Sequence, residues 1–389
     1  MFARALLALL ALLALLPAVA ATAAGQHARR TVSLVWDVDV SSGVRLPVGI
    51  LNAADAAGSS NGGPGTGHGL AANVYGNRGA FPSTAGGRTE IPQTSNLSAH
   101  IVALRRGIPE LIPDADFAGV CLLDFESMRA DWNSSNPASR ALSITHAGND
   151  VALAKRQYEA AARQFFEATI STTRELRPRC RLGWYSYPTN ALPHVGDSQW
   201  FAYCAAHPGT CSFDTGHPGN ATGYDGPGGS EQRRINDRLS WLFDALDVIT
   251  PSIYLGEVPD ETTGADTAEY VGSTTREAVR LAAGRKPVLP VAWLQYDNTW
   301  NHSINRTAPR QLLAPQHAAI ELKTPLENGA AGVLIWGHLD STATASSPQS
   351  VSAYDVYSRN VLRGVVSSIC DEYSCCTNHT DLCLPSSLL

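Results

Sequence analysis

The stretch Phe117-Ala-Gly-Val-Cys-Leu-Leu-Asp124-Phe-Glu126 is an apolar run of strand character that ends in two acidic residues. Side chains alternate across a strand, so Asp124 and Glu126, two residues apart, point to the same side. In a parallel α/β sheet, the C-terminal ends of the strands hold the active site. Two like charges so close together raise the pKa of one carboxyl group, which keeps it protonated as a general acid. The alternative is an ordinary acidic strand end, solvated or paired with Arg129.

Strand-like and helix-like segments alternate on both sides of this stretch. We predict strands at residues 31–37, 71–75, 117–126, 180–187, 247–254, 287–295 and 331–337. We predict helices at residues 97–106, 150–176, 232–246, 267–283, 308–327 and 354–366. Nearly continuous apolar strands indicate a parallel sheet covered by helices. The number of repeats favours the α/β class in the form of a (β/α) TIM-like barrel over an open sheet.

The two ends of the chain differ from its middle. Residues 1–24 combine a positive start, a short Leu/Ala run and small residues before the expected cleavage site, which is typical of a signal peptide. We expect residues 25–366 to form a single catalytic barrel domain. Residues 367–389 are rich in cysteine and too few to build a core, so we expect a short disulfide-tied tail.

Composition restricts the partners. The net charge is -6 and no basic block occurs that could follow a phosphate backbone, which argues against a nucleic-acid binder. After residue 24 no segment is apolar enough to suggest a membrane span. The eight cysteines and several N-x-S/T sequons fit a secreted protein, with the lysosome as the alternative location. We expect a monomer with glycosylation among the sequons Asn96, Asn133, Asn220, Asn301, Asn305 and Asn378.

Aromatic and polar residues collect where the predicted strands end. These residues are Trp184, Tyr185, Ser186, Tyr187, Ser252, Tyr254, Trp293, Tyr296, Asp297 and Trp336. Each aromatic residue alone is explained by core packing, but together, beside two acids, they suit a sugar ring with its apolar faces and polar edges. Zinc-binding, nucleophile-elbow and phosphate-loop motifs are missing from the sequence, so we expect neither a metal nor a cofactor.

Several separate motifs resemble the hyaluronidase family of glycoside hydrolases, in the family's order and spacing. They are Ile91-Pro-Gln-Thr-Ser-Asn-Leu-Ser98, Gly119-Val-Cys-Leu-Leu-Asp-Phe-Glu126, Leu182-Gly-Trp-Tyr-Ser-Tyr-Pro188, Asn236-Asp-Arg-Leu-Ser-Trp-Leu-Phe243, Pro251-Ser-Ile-Tyr254, Gln295-Tyr-Asp297 and Gly332-Val-Leu-Ile-Trp-Gly337. The resemblance implies a distorted (β/α) barrel of seven or eight parallel strands. It also implies a secreted endo-β-N-acetylhexosaminidase that hydrolyses hyaluronan, and in some members chondroitin, with retention.

The resemblance also implies a division of labour between the two acids. The substrate's own acetamido oxygen would attack the anomeric carbon, with Glu126 as the proton donor and Asp124 orienting the acetamido nitrogen. The residues that match substrate-contact positions are Tyr185, Tyr254, Trp336, Arg129 and Ser252, with Tyr75 and Asp297 as weaker matches. No cofactor is implied.

The chain departs from the family pattern at its cysteines. A family cysteine after the first strand and its partner after the last strand are both missing, since residues 38–51 and 341–357 contain none. The resemblance implies that a smaller loop bridge, Cys204–Cys211, remains. The tail is also shorter than the Cys-rich module of vertebrate members.

Two other functions stay open at this point. A chitin-type hydrolase also uses acids of one strand with assistance from the substrate. However, its longer acidic motif is missing, because Leu122 and Leu123 precede Asp124. A catalytically silent glycan-binding or adhesion protein on the same barrel is the other alternative, although a binding protein has no need for a proton donor.

Overall fold

The computed structural model describes residues 29–40, 71–84, 88–189, 223–225, 229–255, 264–296, 311–339 and 350–375. In these ranges the strands are β1 (Thr31–Val40), β2 (Ala71–Tyr75), β3 (Val120–Asp124), β4 (Arg181–Trp184), β5 (Val291–Trp293), β6 (Gly332–Leu339) and β7 (Ser374–Cys375). The helices are α1 (Leu97–Leu111), α2 (Pro137–His146), α3 (Val151–Leu176), α4 (Gly229–Arg238), α5 (Ser240–Ala245), α6 (Gly264–Ala282), α7 (Pro315–Glu327), α8 (Val351–Tyr357) and α9 (Arg363–Glu372). The predicted signal peptide lies outside the described residues.

All the strands run parallel; β1 to β6 follow one another around a ring, and β7 pairs only with the start of β1. One ladder joins β2, β3 and β4, and another joins β5, β6, β1 and β7. The extended segment 247–255 connects the two ladders, because the amide of Val248 bonds to β4 and the amide of Ile253 bonds to Val291. At the other side β1 lies against β2. Because the strands are parallel, their C-terminal ends all lie at one face of the ring.

Alternation along each strand separates the inside of the ring from the outside. Side chains on the inside form one buried cluster, which contains Val35, Ala71, Val120, Leu122, Val248, Leu289, Val291 and Leu334. The opposite faces of the same strands pack beneath the surrounding helices, as Cys121 and Leu123 do against α1 and α3. Because Asp124 continues the inward series of Val120 and Leu122, its side chain emerges at the mouth of the ring.

A disulfide bond joins Cys121 of β3 to Cys180, which directly precedes β4. It lies on the outer face of the strands, within the buried layer under α3. The two cysteines are 59 positions apart in sequence, and in the chain-entropy account such a bridge destabilises the unfolded state by about 4 kcal/mol. The cysteines were counted as probable bridge partners from the sequence, but this pair was not predicted, and the predicted pair Cys204–Cys211 lies outside the described residues.

Several predicted boundaries differ from the structure. The sequence predicts a long connection over residues 131–149, but the structure has α2 there. Its start is signalled by the Asn136 cap and by Pro137 in its first turn. The helix predicted at 232–246 is divided into α4 and α5. The strand predicted at 287–295 is shortened to β5 because Pro287 and Pro290 have no amide hydrogen to donate to a ladder. Pro251 limits the predicted strand 247–254 to isolated bridges in the same way.

The C-terminal helices extend beyond the border expected at residue 366. A π-helical turn, Ser358–Leu362, joins α8 to α9, and α9 continues to Glu372. Strand β7 then pairs with β1, and a Cys370–Cys375 disulfide closes the turn between α9 and β7. The first residues of the expected tail are therefore attached to the barrel sheet.

Candidate active site

The mouth of the ring carries a single layer of side chains from consecutive strands. Tyr75 of β2 is in register with Asp124 of β3, and the amide of Tyr185 bonds to Leu123, the residue before Asp124. On the other side, Trp293 of β5 is in register with Trp336 of β6. Residues on neighbouring parallel strands at one level face the same space, so this layer lines one pocket.

Aromatic rings form most of the wall. The Tyr254 ring lies 5.7 Å from Tyr185, 5.4 Å from Trp293 and 5.9 Å from Trp336, measured between ring centroids. Trp293 meets Trp336 edge to face at 4.9 Å. The indole Nε1 of Trp336 donates a 3.1 Å hydrogen bond to the Tyr75 hydroxyl, which joins the first and last strands of the layer. The result is a continuous wall with apolar faces and a few polar groups.

The tyrosine hydroxyls of this wall stay protonated. The Tyr185 hydroxyl donates to the hydroxyl of Ser252, 3.3 Å away. Burial raises the pKa of Tyr185 well above its usual value, and the nearby Glu126 raises it further. Burial also raises the pKa of Tyr254, with smaller contributions from Tyr185, Asp124 and Glu126. Both phenols are therefore neutral hydrogen-bond donors beside two acids at neutral pH.

The two acids differ in exposure. Asp124 is half-buried at the end of β3, whereas Glu126 is exposed just after it. Glu126 still lies close enough to Tyr185, Tyr254 and Arg129 to influence their protonation. An accessible carboxyl group next to a more enclosed one allows one acid to meet a bond in the substrate while the other holds a fixed group.

Phe125 fixes the backbone between the two acids. Its ring stacks on Phe81 with centroids 4.1 Å apart, and Phe81 in turn packs against His100. His100 accepts a hydrogen bond from the amide of Ala80, so the segment after β2 is anchored to α1. A β-carbon added at Gly76 would come within 2.2 Å of the Phe125 ring. The site therefore depends on packing on the outer side of β3.

Arg129 is placed beside the same acids. Burial lowers the pKa of its guanidinium group, but the neighbouring Tyr187, Glu126, Tyr185 and Asp131 together outweigh that effect and raise it. Within the described ranges, its buried Nη1 atom has no hydrogen-bond partner. The side chain is thus a permanent cation at the edge of the pocket.

The structure brings most predicted site residues together. Asp124, Glu126, Tyr75, Tyr185, Ser252, Tyr254, Trp336 and Arg129 surround one pocket. Asp297 lies outside the described residues. Trp293 was noted as a strand-end aromatic residue but was not among the predicted contacts; its position two residues after Val291, on the inner face, is the signal that identifies it.

Three strand-end aromatic residues lie elsewhere. Trp184 stacks on Phe166 of α3, with ring centroids 3.9 Å apart, and Tyr187 packs edge to face on the same ring. Tyr296 bonds through its hydroxyl to His317 of α7, 2.6 Å away. The expectation that these aromatic residues share the pocket face is wrong, because strand alternation turns Trp184 outward and the chain leaves the ring before Tyr187 and Tyr296.

Other predicted features fall on the surface or outside the described residues. Asn96 is exposed and caps α1, and Asn133 is half-buried in a turn. The sequons at Asn220, Asn301, Asn305 and Asn378 lie outside the described residues. Among the residues that the structure describes, no cluster of three or more His, Cys, Asp or Glu side chains could hold a metal ion. None of the helices in those ranges is both long and apolar enough to cross a membrane.

Comparison with known sequences gives matches to hyaluronidases. A sequence model of the hyaluronidase family matches residues 75–212 and 206–384. Hyaluronidase from Apis mellifera is 29% identical over 273 residues, which cover 65% of this chain and 61% of the bee protein. Hyaluronidase-1 from Homo sapiens is 29% identical over 280 residues, which cover 68% of this chain and 56% of the human protein. The aligned region thus spans less than two thirds of the length of these relatives.

Comparison with solved structures agrees. The crystal structure of bee venom hyaluronidase superposes with a TM-score of 0.62 at 24% identity, covering 87% of this chain and 99% of that chain. The structure of bee venom hyaluronidase in complex with a hyaluronic acid tetramer gives a TM-score of 0.63 at 23% identity. This likeness confirms the predicted distorted (β/α) barrel. From the family pattern across residues 75–384 and from this fold, the chain belongs to the hyaluronidase family.

Proposed function

We propose that the protein is a secreted endo-β-N-acetylhexosaminidase that hydrolyses hyaluronan with retention, by substrate-assisted catalysis. The observation that supports this most directly is the position of Asp124 and Glu126 at the end of one strand, facing a wall of Tyr75, Tyr185, Tyr254 and Trp336. Family membership and the bee venom relative that binds a hyaluronic acid tetramer support the choice of substrate.

The arrangement of the acids explains the choice of mechanism. An ordinary retaining glycosidase uses two carboxyl groups on opposite sides of the bond, one of them as nucleophile. Here Asp124 ends β3 and Glu126 follows two residues later, and both acids lie close to the same two tyrosines, Tyr185 and Tyr254. In our proposal the acetamido oxygen of the substrate attacks the anomeric carbon while Glu126 gives its proton to the departing oxygen. Glu126 then takes a proton from the water that opens the cyclic intermediate.

The remaining residues hold the sugar. Asp124 orients the acetamido N–H and stabilises the positive charge that develops on the nitrogen. Tyr185 and Tyr254 keep their protons and can donate hydrogen bonds, and the indole face of Trp336 covers the apolar side of the acetamido group. Arg129 and Ser252 contact the substrate at the rim. Chains that bear related N-acetylhexosamine units, such as chondroitin, fit the same arrangement.

Extracellular location belongs to the same proposal. Hyaluronan and chondroitin are extracellular polymers, so an enzyme that cleaves them needs the secretory route that the segment 1–24 indicates. We propose that the mature protein acts as a monomer and that Asn96, which is exposed, takes a glycan.

Product analysis tests the proposed function. We expect the secreted protein to cleave hyaluronan into even-numbered oligosaccharides, to cleave chondroitin more slowly and to leave chitin oligomers intact. Proton NMR during the first turnovers should show the β-anomer at the new reducing end, because two displacements preserve configuration. Cleavage of chitin alone would identify a chitin-type hydrolase. Binding of hyaluronan without cleavage would identify the silent glycan-binding protein instead.

Gly76→Ala is expected to lower the rate on hyaluronan by on the order of ten- to a hundred-fold. The added methyl group would displace the Phe125 ring, which is held by Phe81 and cannot turn away without moving the backbone of the two acids. The matched control is Gly364→Ala on α9, where a β-carbon meets no atom within 4 Å. Initial rates and thermal unfolding of both variants provide the measurement; equal activity of the two would show that Phe125 packing does not position the acids.

A further inference from the structure

The loop that follows β3 is held by two buried tyrosines from outside the pocket. Tyr158 of α3 donates a 3.1 Å hydrogen bond from its hydroxyl to the carbonyl oxygen of Arg129. Tyr187, which follows β4, accepts a 2.8 Å hydrogen bond at its hydroxyl from the amide of Ala130. Both tyrosines are fully buried. The two bonds thus connect the loop to a helix and to the neighbouring strand.

Both hydrogen bonds end on one peptide group. The carbonyl of Arg129 and the amide of Ala130 belong to the same planar unit, so fixing both ends removes its rotation. We name this pair of contacts the tyrosine clamp. The next peptide groups are tied as well, because the amide of Trp132 donates to Glu159 of α3. The clamp therefore sets the direction in which the Arg129 side chain leaves the backbone.

Arg129 is the side chain that the clamp positions. Its guanidinium group meets Tyr187, Glu126 and the buried Asp131, and among the described residues its buried Nη1 atom has no hydrogen-bond partner. A guanidinium group presents a rigid fork of donors that matches a carboxylate. Hyaluronan and chondroitin carry a carboxylate on each uronate unit, whereas chitin carries none. The half-buried guanidinium group of Arg129 therefore gives the pocket a cation that favours charged over neutral polymers.

We propose that Tyr158 and Tyr187 are positioning residues, which hold Arg129 at the angle needed to bind a uronate carboxylate and so set the preference for anionic polymers. This proposal rests on the proposed function for the identity of the substrate. Both tyrosines are buried away from the pocket surface. Tyr158 acts through the Arg129–Ala130 peptide group, and Tyr187 acts through that group and through a direct hydrogen bond with the Arg129 side chain.

The expected result is a change in binding with little change in turnover. Tyr158→Phe and Tyr187→Phe should each raise KM for hyaluronan by about three- to ten-fold, as the loss of one hydrogen bond predicts, with kcat within about two-fold of wild type. In an Arg129→Gln background the same substitutions should change KM by less than about two-fold, since the group that they position has been removed. The control is Tyr357→Phe. It deletes a buried hydroxyl that has no hydrogen-bond partner in the described part of the chain, and Tyr357 packs in a core cluster separate from that of Tyr158 and Tyr187.

Two further measurements separate the clamp from the proposed function. The first is the affinity of a hyaluronan hexasaccharide for the same set of variants on the Glu126→Gln protein, whose turnover is expected to be slower by on the order of 10²- to 10⁴-fold. The second is hydrogen exchange at the Ala130 amide, which should quicken in Tyr187→Phe but not in Tyr357→Phe. Two results in an active enzyme would overturn the clamp. One is that the tyrosine substitutions raise KM equally in the wild-type and Arg129→Gln backgrounds. The other is that Tyr187→Phe leaves hydrogen exchange at the Ala130 amide unchanged. Lack of cleavage by wild type would overturn the proposed function, while affinity and exchange still decide the clamp.

Discussion

Glu126→Gln is expected to lower kcat on hyaluronan by on the order of 10²- to 10⁴-fold, the range for a lost general acid. Glutamine keeps the shape of the side chain but has no proton to transfer to the departing oxygen. Because Glu126 is exposed, the substitution should change the free energy of unfolding by less than about 0.5 kcal/mol. Initial rates and thermal unfolding, measured on the same preparation, check both parts of the prediction.

A substrate with a good leaving group sharpens this test. An aryl glycoside whose phenol is a weak base needs little protonation, so Glu126→Gln should recover a large part of its activity in the first chemical step. Equal rates of Glu126→Gln and wild type on hyaluronan itself would show that another group donates the proton. Glu175→Gln serves as the control for loss of one carboxylate, because Glu175 is exposed on α3 and lies away from the pocket.

Asp124→Asn is expected to reduce kcat by on the order of 10²- to 10³-fold, as the loss of one preorganised electrostatic contact does in other enzymes. Asp124 is half-buried in register with Tyr75 and affects the pKa of Tyr254, so its charge lies inside the enclosed part of the pocket. Asparagine keeps the size of the side chain but loses the charge that stabilises the cyclic intermediate. Rates on hyaluronan provide the measurement.

The leaving-group comparison gives opposite results for the two acids. Asp124 acts on the acetamido group and not on the departing oxygen, so an aryl leaving group should not restore the activity of Asp124→Asn. A substantial recovery would assign proton transfer to Asp124 and contradict the division of labour. A rate close to wild type on hyaluronan would show that Asp124 is not the orienting acid.

The elements of the fold that can be predicted from the sequence are those with a strong local pattern of apolar residues. The inward series Val120, Leu122 and Asp124 obeys simple alternation, so the sequence alone predicts that the acids lie where β3 ends. The long helix at Val151–Leu176 was also predicted within one residue, because its apolar period is uninterrupted. Family motifs added Tyr185, Tyr254 and Trp336, whose common location does not follow from spacing alone.

The residues that were misplaced lie where the chain leaves the regular strands. Sequence spacing predicts that Tyr296 follows β5 into the pocket, but the chain turns outward there and its hydroxyl meets His317. Tyr187 belongs to the same motif as Tyr185 yet supports the pocket from behind through Ala130. Contacts of this kind join segments far apart in the chain, so no local sequence pattern predicts them. The Phe81–Phe125 stack is not predicted for the same reason.

The hydrogen bond between Trp336 and Tyr75 connects residues 261 positions apart. Both acids and Tyr185 lie in the first half of the chain, but the wall opposite them comes from its last strands. Joining such distant segments is slow compared with forming the local β2–β3–β4 ladder. During synthesis or refolding, enzymatic activity should therefore appear only when β6 enters the ring. The recovery of activity during refolding therefore measures when β6 joins the ring, whereas the recovery of the helical circular dichroism signal reports the earlier stages.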